Sequence, residues 1–222
     1  SDKHPLEPIP RLIDRANQAL QTLERYKNRL DVVTSSLSAL EVEDLVTVRD
    51  VVTMLQRSEM VRRIAQEVQD YIVELGVDGR LVLLQLEELM GGVEDDRHLV
   101  VRDYLRDEPT WRVTQAMDLL AELSTEDLLD LKTVAWVLRI PTDSGGLDAG
   151  LQPRGYRLLS RIPRLPHAVI QRVVEHFGDL QKIMRASVEE LDDVDGVGSG
   201  RARNIKEGLS RLAESSILDR YS

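Results

Sequence analysis

Apolar residues recur along the first forty positions at spacings that alternate strictly between four and three. Leu12, Ala16, Ala19, Leu23, Tyr26, Leu30, Val33, Leu37 and Leu40 lie on one stripe of an α-helix and form a heptad seam. The stripe predicts one long helix, lying on its own domain or pairing with a helix of another subunit. Thr34-Ser35-Ser36 lower the helix propensity without interrupting the seam. Glu41 to Leu75 predicts a second long helix. Leu45, Val48, Val52 and Leu55 share a face, and Ile64, Val68, Ile72 and Leu75 continue it after a shift near Arg57-Ser58-Glu59. Gly76 and Asp78-Gly79 end that helix. Leu81 to Met90 predicts a short helix closed by Gly91-Gly92, whereas His98 to Leu105 fits a strand or a helix. Pro109 starts an element with Val113, Met117 and Leu120 on one face. Ser124-Thr125-Glu126-Asp127 is an N-cap with an acidic first turn for a helix carrying Leu128, Leu131, Val134 or Ala135, and Leu138. Pro141 stops it.

Pro141, Gly145, Gly146, Gly150 and Pro153 mark residues 141–153 as a flexible linker. The expected organisation is all-α: an elongated helical linker or bundle domain over 1–140, then a small domain over 154–222. The second part contains an internal repeat. A shift of 32 residues lays Ile162-Pro163-Arg164-Leu165-Pro166 on Val194-Asp195-Gly196-Val197-Gly198, and Ile170, Val173 and Phe177 on Ala202, Ile205 and Leu209. Both segments therefore precede helices of one apolar phase, as in a tandem helix-hairpin-helix domain.

The apolar-x-Gly-apolar-Gly pattern of Val194–Gly198 leaves backbone N–H groups bare at the start of a helix, where unpaired donors attract anions. Gly196, Val197, Gly198, Ser199 and Gly200 are the candidate main-chain contacts to a nucleic-acid phosphate, followed by Arg201, Arg203 and Lys206. The first copy has Arg164 and Pro166 in place of the glycines, and proline has no N–H to give. That hairpin is a structural partner, or it reaches phosphate through the side chains of Arg161, Arg164 and His167. Two hairpins in pseudo-twofold relation would grip both strands across a minor groove and read backbone shape rather than base sequence. The competing readings are a hairpin that packs only against its neighbour and a basic cluster that is a solvated helix face. Asp192, Asp193 and Asp195 count against phosphate unless they face away.

Charge narrows where such contact is possible. The chain of 222 residues has a net charge of −10, and residues 1–140 carry all of it. Residues 141–222 carry 12 basic and 12 acidic side chains. An acidic chain is a poor nonspecific binder of DNA, so contact must come from a local basic patch. A composition 42% hydrophobic but only 4% aromatic favours leucine-rich helices. The absence of cysteine excludes disulfides and thiolate metal sites. No apolar run approaches a membrane span and the polar start is not a signal peptide. A first residue other than Met suggests a fragment of a longer chain.

Few chemical motifs compete. Asp193-x-Asp195 with Gly196 falls short of a calcium loop because Asn204 stands where a bidentate Glu is needed. His4, His98, His167 and His176 have no metal-ligand spacing, and His176 beside Phe177 suits packing. No phosphate-binding loop of the nucleotide-hydrolase type and no nucleophile elbow is present. A DNA glycosylase built on this hairpin would need a catalytic Lys or Asp beyond it, and only Asp219 stands there.

Arg15-Ala16-Asn17-Gln18-Ala19, Thr22–Tyr26, Glu43–Asp50, Met60–Ile64, Pro153–Arg157, Ile162–Leu165 and the Val194–Gly198 hairpin together resemble the C-terminal part of the DisA family. These are bacterial DNA-integrity scanning proteins with diadenylate cyclase activity. The likeness covers almost the whole chain and is weaker over residues 1–14. It implies a helical linker whose helices form the spine of an octamer, with the seam from Leu12 to Leu40 between subunits. It also implies a tandem helix-hairpin-helix domain that binds branched DNA such as Holliday junctions, and a location in the bacterial cytoplasm at the nucleoid. In the family a cyclase domain condenses two ATP into cyclic di-AMP with a divalent metal, Mg or Mn, and DNA binding lowers that activity. The cyclase signatures Asp-Gly-Ala and Arg-His-Arg are absent here: Asp78-Gly79 is followed by Arg80, and Arg97-His98 by Leu99. The chain is thus expected to have no catalytic residues, cofactor or metal of its own. An oligomerisation scaffold whose hairpins make only protein contacts is the alternative.

Overall fold

The computed structural model describes residues 8–105, 111–140 and 145–221. Among these all regular structure is helical, and the single β-type pairing is an isolated bridge between Thr47 and Gly150. The all-α class follows from the leucine-rich, aromatic-poor pattern.

The first helix, α1 (Ile9–Glu43), runs unbroken through Thr34-Ser35-Ser36. It runs past Leu40 to Glu43, into the segment that the apolar pattern assigns to the second helix. Asp44 adopts a left-handed φ of 59°, and Leu45 N–H donates back to Leu40 O at 2.9 Å. This is a Schellman-type stop with aspartate in the place usual for glycine. Leu45 therefore leaves the predicted stripe and is exposed. The next helix, α2 (Val48–Leu75), starts where Asp50 accepts from the Thr47 N–H and hydroxyl, both at 2.8 Å. After a 3-10 turn comes α3 (Arg80–Met90), then α4 (Val93–Tyr104), which settles the ambiguous stretch from His98 as helix.

The helix α5 (Trp111–Glu122) buries Met117 and Leu120 as the pattern requires; Pro109 and Pro141 lie outside the described residues. Ser124 caps α6 (Thr125–Leu129), accepting from Asp127 N–H at 3.0 Å. The single helix expected from there to Leu138 is divided. Asp130 takes an extended backbone and its carboxylate accepts from Lys132 N–H and Thr133 Oγ, so it caps a separate α7 (Leu131–Val137).

Two compact units divide the chain. One holds the residues through Val32 together with Arg57–Glu94; the other holds Val33–Gln56 and everything from Asp95 onward. The expected boundary at 141–153 is thus corrected. The described part of that segment, from Gly145, is pinned inside the second unit rather than free. Val48 N–H donates to Ala149 O and Leu151 N–H to Val46 O, both at 2.9 Å, and Leu147 is buried. Much of the heptad seam is covered within the chain. Leu12, Ala16, Ala19, Leu23, Leu30 and Leu37 are buried by the chain itself, and Tyr26, Val33 and Leu40 are half-buried. Burial within the chain fits the reading of a helix lying on its own domain, with Tyr26, Val33 and Leu40 as the part of the stripe still accessible.

In the second unit the repeat forms α8 (Tyr156–Ser160), α9 (His167–Phe177), α10 (Leu180–Arg185), α11 (Val188–Asp192) and α12 (Gly198–Tyr221). The 32-residue shift lays α8 on α11 residue for residue. One apolar core runs from Tyr156 to Leu209, with Ile162, Val173, Val194, Ala202 and Ile205 buried in it, and Val42 of α1 and Leu99 of α4 pack against its edge.

A buried polar knot fastens this core to α1 and α4. Asp103 accepts from the backbone N–H groups of Gly155, Tyr156 and Arg157 at 3.1, 2.7 and 3.3 Å, closing the start of α8. Arg157, fully buried, donates to Glu41 and to Ser38 Oγ, and the Tyr104 hydroxyl donates to the other Glu41 oxygen at 2.8 Å. Burial, with Glu41 nearby, pushes the Asp103 carboxyl up to about 7 against the pull of Arg157 and the backbone donors.

Candidate nucleic-acid interface

The two hairpins superimpose in backbone logic but not in chemistry. Ile162 N–H donates to Leu159 O at 3.1 Å, and Val194 N–H to Leu191 O at 3.2 Å, at positions 32 residues apart. The left-handed residue falls at the same place in both: Arg164 at φ 60° and Gly196 at φ 81°. An arginine held there is strained by roughly 1 kcal/mol relative to glycine, so the first hairpin keeps the turn at a cost.

A reciprocal clasp joins them. Arg172 of α9 donates through Nη1 to Asp195 O of the second hairpin at 3.2 Å. Asn204 of α12 donates through Nδ2 to Pro163 O of the first at 3.1 Å. Donors and acceptors are again 32 residues apart, so the pseudo-twofold relation extends to side chains. Neither Arg172 nor Asn204 is a predicted site residue. The signal for them was the repeat itself, which places 172 on 204 and 163 on 195.

The predicted contacts separate into several groups. Gly198, at φ 77°, has open space where a Cβ would stand, and with Ser199 and Gly200 it is exposed in the first turn of α12. The first N–H groups of a helix have no intrahelical acceptor. Gly196 serves the fold instead. A Cβ there would lie 1.7 Å from Arg172 Nη1, so the glycine makes room for the clasp. Val197 is buried and spends its N–H on Val194 O at 3.1 Å. Arg201 folds back to Gly196 O at 3.1 Å, while Arg203 is exposed.

Lys206 and Arg161 are drawn elsewhere. Lys206 donates to Met184 O at 2.8 Å, at the end of α10. Arg161 donates to Ser38 Oγ at 3.2 Å, and burial together with the neighbouring Arg157 lowers its pKa. Neither points a free charge at the hairpin face. Arg164 and His167 are exposed on the first hairpin. Asp192, Asp193 and Asp195 are exposed around the second, so negative charge surrounds the glycine-bearing copy and none lies between Ile162 and His167.

Among the described residues no group of three or more His, Asp or Glu side chains is arranged to hold a metal ion, and no helix is long and apolar enough to cross a membrane. Among the described residues the structure is all-helical and ends in two clasped repeats, each a short helix, a tight turn and a longer helix. A sequence model described as the DisA bacterial checkpoint controller linker region matches residues 6–146, and the chain belongs to that family. The chain is also similar over nearly its full length to proteins named DNA integrity scanning protein DisA. It is 59% identical over 220 residues to that of Streptomyces coelicolor, covering 97% of this chain and 59% of the relative. It is 58% identical over 220 residues to that of Kineococcus radiotolerans, covering 99% of this chain and 61% of the relative. Against that of Acidothermus cellulolyticus it is 59% identical over 225 residues, covering 99% and 60%. The chain thus spans about three-fifths of the length of the relatives it matches.

Proposed function

We propose that the hairpin pair binds DNA through its phosphate backbone, selecting branched structures such as Holliday junctions over sequence. The observation that carries this reading is the pseudo-twofold pair of hairpins. One offers bare backbone at Gly198, Ser199 and Gly200 at the head of α12, with Arg201 and Arg203 beside it. The other offers Arg164 and His167 on an acid-free turn. Relatives named for DNA integrity scanning support the same reading. Its place is the regulatory part of a diadenylate cyclase of the bacterial cytoplasm. There ATP and a divalent metal belong to a cyclase domain rather than to these residues, and the helical part assembles subunits into an octamer.

The assembly reading has its own support. Val73, Val77, Leu81 and Leu84 are each more than 60% exposed in the first unit and recur at near-helical spacing across the end of α2 and the start of α3. Such a stripe is a better oligomer surface than the seam on α1.

The test is binding of the whole chain to a labelled four-way junction and to linear duplex across a salt series. Phosphate contact predicts tighter binding to the junction and a log-linear loss of affinity with salt. A salt-independent curve overturns it. Light scattering tests assembly, and a monomer at high concentration removes it.

A further inference from the structure

Resting on that DNA-binding reading, we propose that Arg102 of α4 belongs to the same phosphate-contacting surface, so that the interface spans a linker helix and the first hairpin. Arg102 lies outside the hairpin sequence, in the region matched by the linker family. Its guanidinium stacks over the Tyr156 ring at 3.9 Å, and its Nη1 is 3.1 Å from Nε2 of His167. Arginine only donates, so Nε2 of His167 is the acceptor in this contact. The ring face and one nitrogen hold the guanidinium in place and leave its other N–H groups uncommitted.

No carboxylate among the described residues pairs with Arg102. The nearest hairpin adds Arg164, exposed and kept in a left-handed conformation, and contributes no acid from Ile162 to His167. The first turn of α9 has none either. Two guanidinium groups, Arg102 and Arg164, thus serve this face without a paired carboxylate among the described residues, and an anion there meets attraction without competition. Stacking on an aromatic ring also fixes the orientation of a guanidinium, so little further ordering is needed to engage phosphate.

The two hairpins then divide the work by different chemistry. The second uses main chain, because Arg201 beside it and Arg172 reaching over from α9 are both committed to its carbonyls and aspartates surround it. The first uses side chains and recruits one from α4. The next residues of α4, Asp103 and Tyr104, belong to the buried knot, so a phosphate on Arg102 would press directly on the helix that holds α8.

The test uses the full chain with a fluorescein-labelled four-way junction. Arg102→Ala should weaken binding about tenfold and reduce the salt slope by about one. Arg102→Lys should keep the slope and lose part of the affinity. Because the chain has no cysteine, Arg102→Cys also supplies a unique thiol. By thiol–disulfide exchange it should react with DNA bearing a backbone-tethered pyridyl disulfide, releasing thiopyridone, faster than Trp136→Cys does, which does not require the Ala variant to stay folded. Arg102→Ala equal to the parent in affinity and slope, with Gly198→Val weakened, overturns this inference and leaves the DNA reading standing. A thiol at 102 no faster than one at 136 overturns it too. A parent chain without salt-dependent junction binding overturns both.

Discussion

Arg172 and Asn204 are symmetry counterparts that each donate to a carbonyl of the opposite hairpin, Asp195 O at 3.2 Å and Pro163 O at 3.1 Å. The chemistry differs, a guanidinium against an amide, yet the geometry is shared. The clasp makes the hairpin pair one object rather than two modules in series. It also explains Gly196, whose missing side chain is filled by the Arg172 guanidinium.

Gly196→Ala should therefore be destabilising through two separable effects: a left-handed φ of 81° and a collision with Arg172. The backbone strain costs roughly 1–2 kcal/mol, and loss of the clasp adds about 1 kcal/mol. Arg172→Ala alone should cost only the latter. Since both changes remove the same contact, urea melts of the double variant should show less than the summed loss. Strict additivity would mean that Arg172 swings away freely.

Gly198 is the converse case. Its φ of 77° strains any replacement, but nothing lies within 4 Å of the Cβ position. Gly198→Val should lower stability by roughly 1–2 kcal/mol while obstructing the approach of a phosphate to the first turn of α12. The variant should remain folded by circular dichroism and lose junction affinity by about an order of magnitude. Full affinity in a folded variant removes Gly198 from the site.

Packing on the other hairpin is as tight. A Cβ on Gly208 would stand 2.7 Å from Ile162 Cγ1 and 2.9 Å from its Cγ2. Gly208→Ala gains about 1 kcal/mol of helix propensity but overpacks a core contact, which typically costs about 1–3 kcal/mol. We expect net destabilisation, and relief of the clash when Ile162→Ala is combined with it. A Gly208→Ala variant more stable than the parent would show that α12 shifts to make room.

The heptad spacing made α1 legible to within a few residues at each end, and the 32-residue shift made both hairpins legible. Spacing could not say what covers the seam, because a heptad stripe is buried equally well by its own chain or by another. Stops set by side-chain capping were the least legible. Asp44 in a left-handed turn and Asp130 as an internal cap each break a run whose apolar phase continues. At the candidate site, Gly198, Arg164 and His167 are exposed on the two hairpins, as a surface role requires. That Lys206 and Arg161 bond to a carbonyl and a hydroxyl was not legible, because a charge near a hairpin says nothing of the acceptor that engages it. The knot of Glu41, Asp103, Tyr104 and Arg157 left no sequence signal, since its members come from three helices far apart in the chain.

That knot gives the fold a specific response to pH. The Asp103 carboxyl stands at about 7 in the folded chain against 3.8 for an unperturbed one, because burial and then Glu41 oppose its charge. Between about pH 4 and 7 the folded state thus holds a proton that the unfolded state has released. Stability from this group is full below pH 4, falls as pH rises through the window, and is flat above it. Asp103→Asn keeps an oxygen for the Gly155 and Tyr156 N–H groups but carries no titrating proton, so its urea midpoint should not show this fall. The difference between the two profiles, measured from pH 4.5 to 8, isolates the carboxyl from every other titrating group. Parallel profiles would mean that Arg157 and the three backbone donors keep Asp103 ionised throughout.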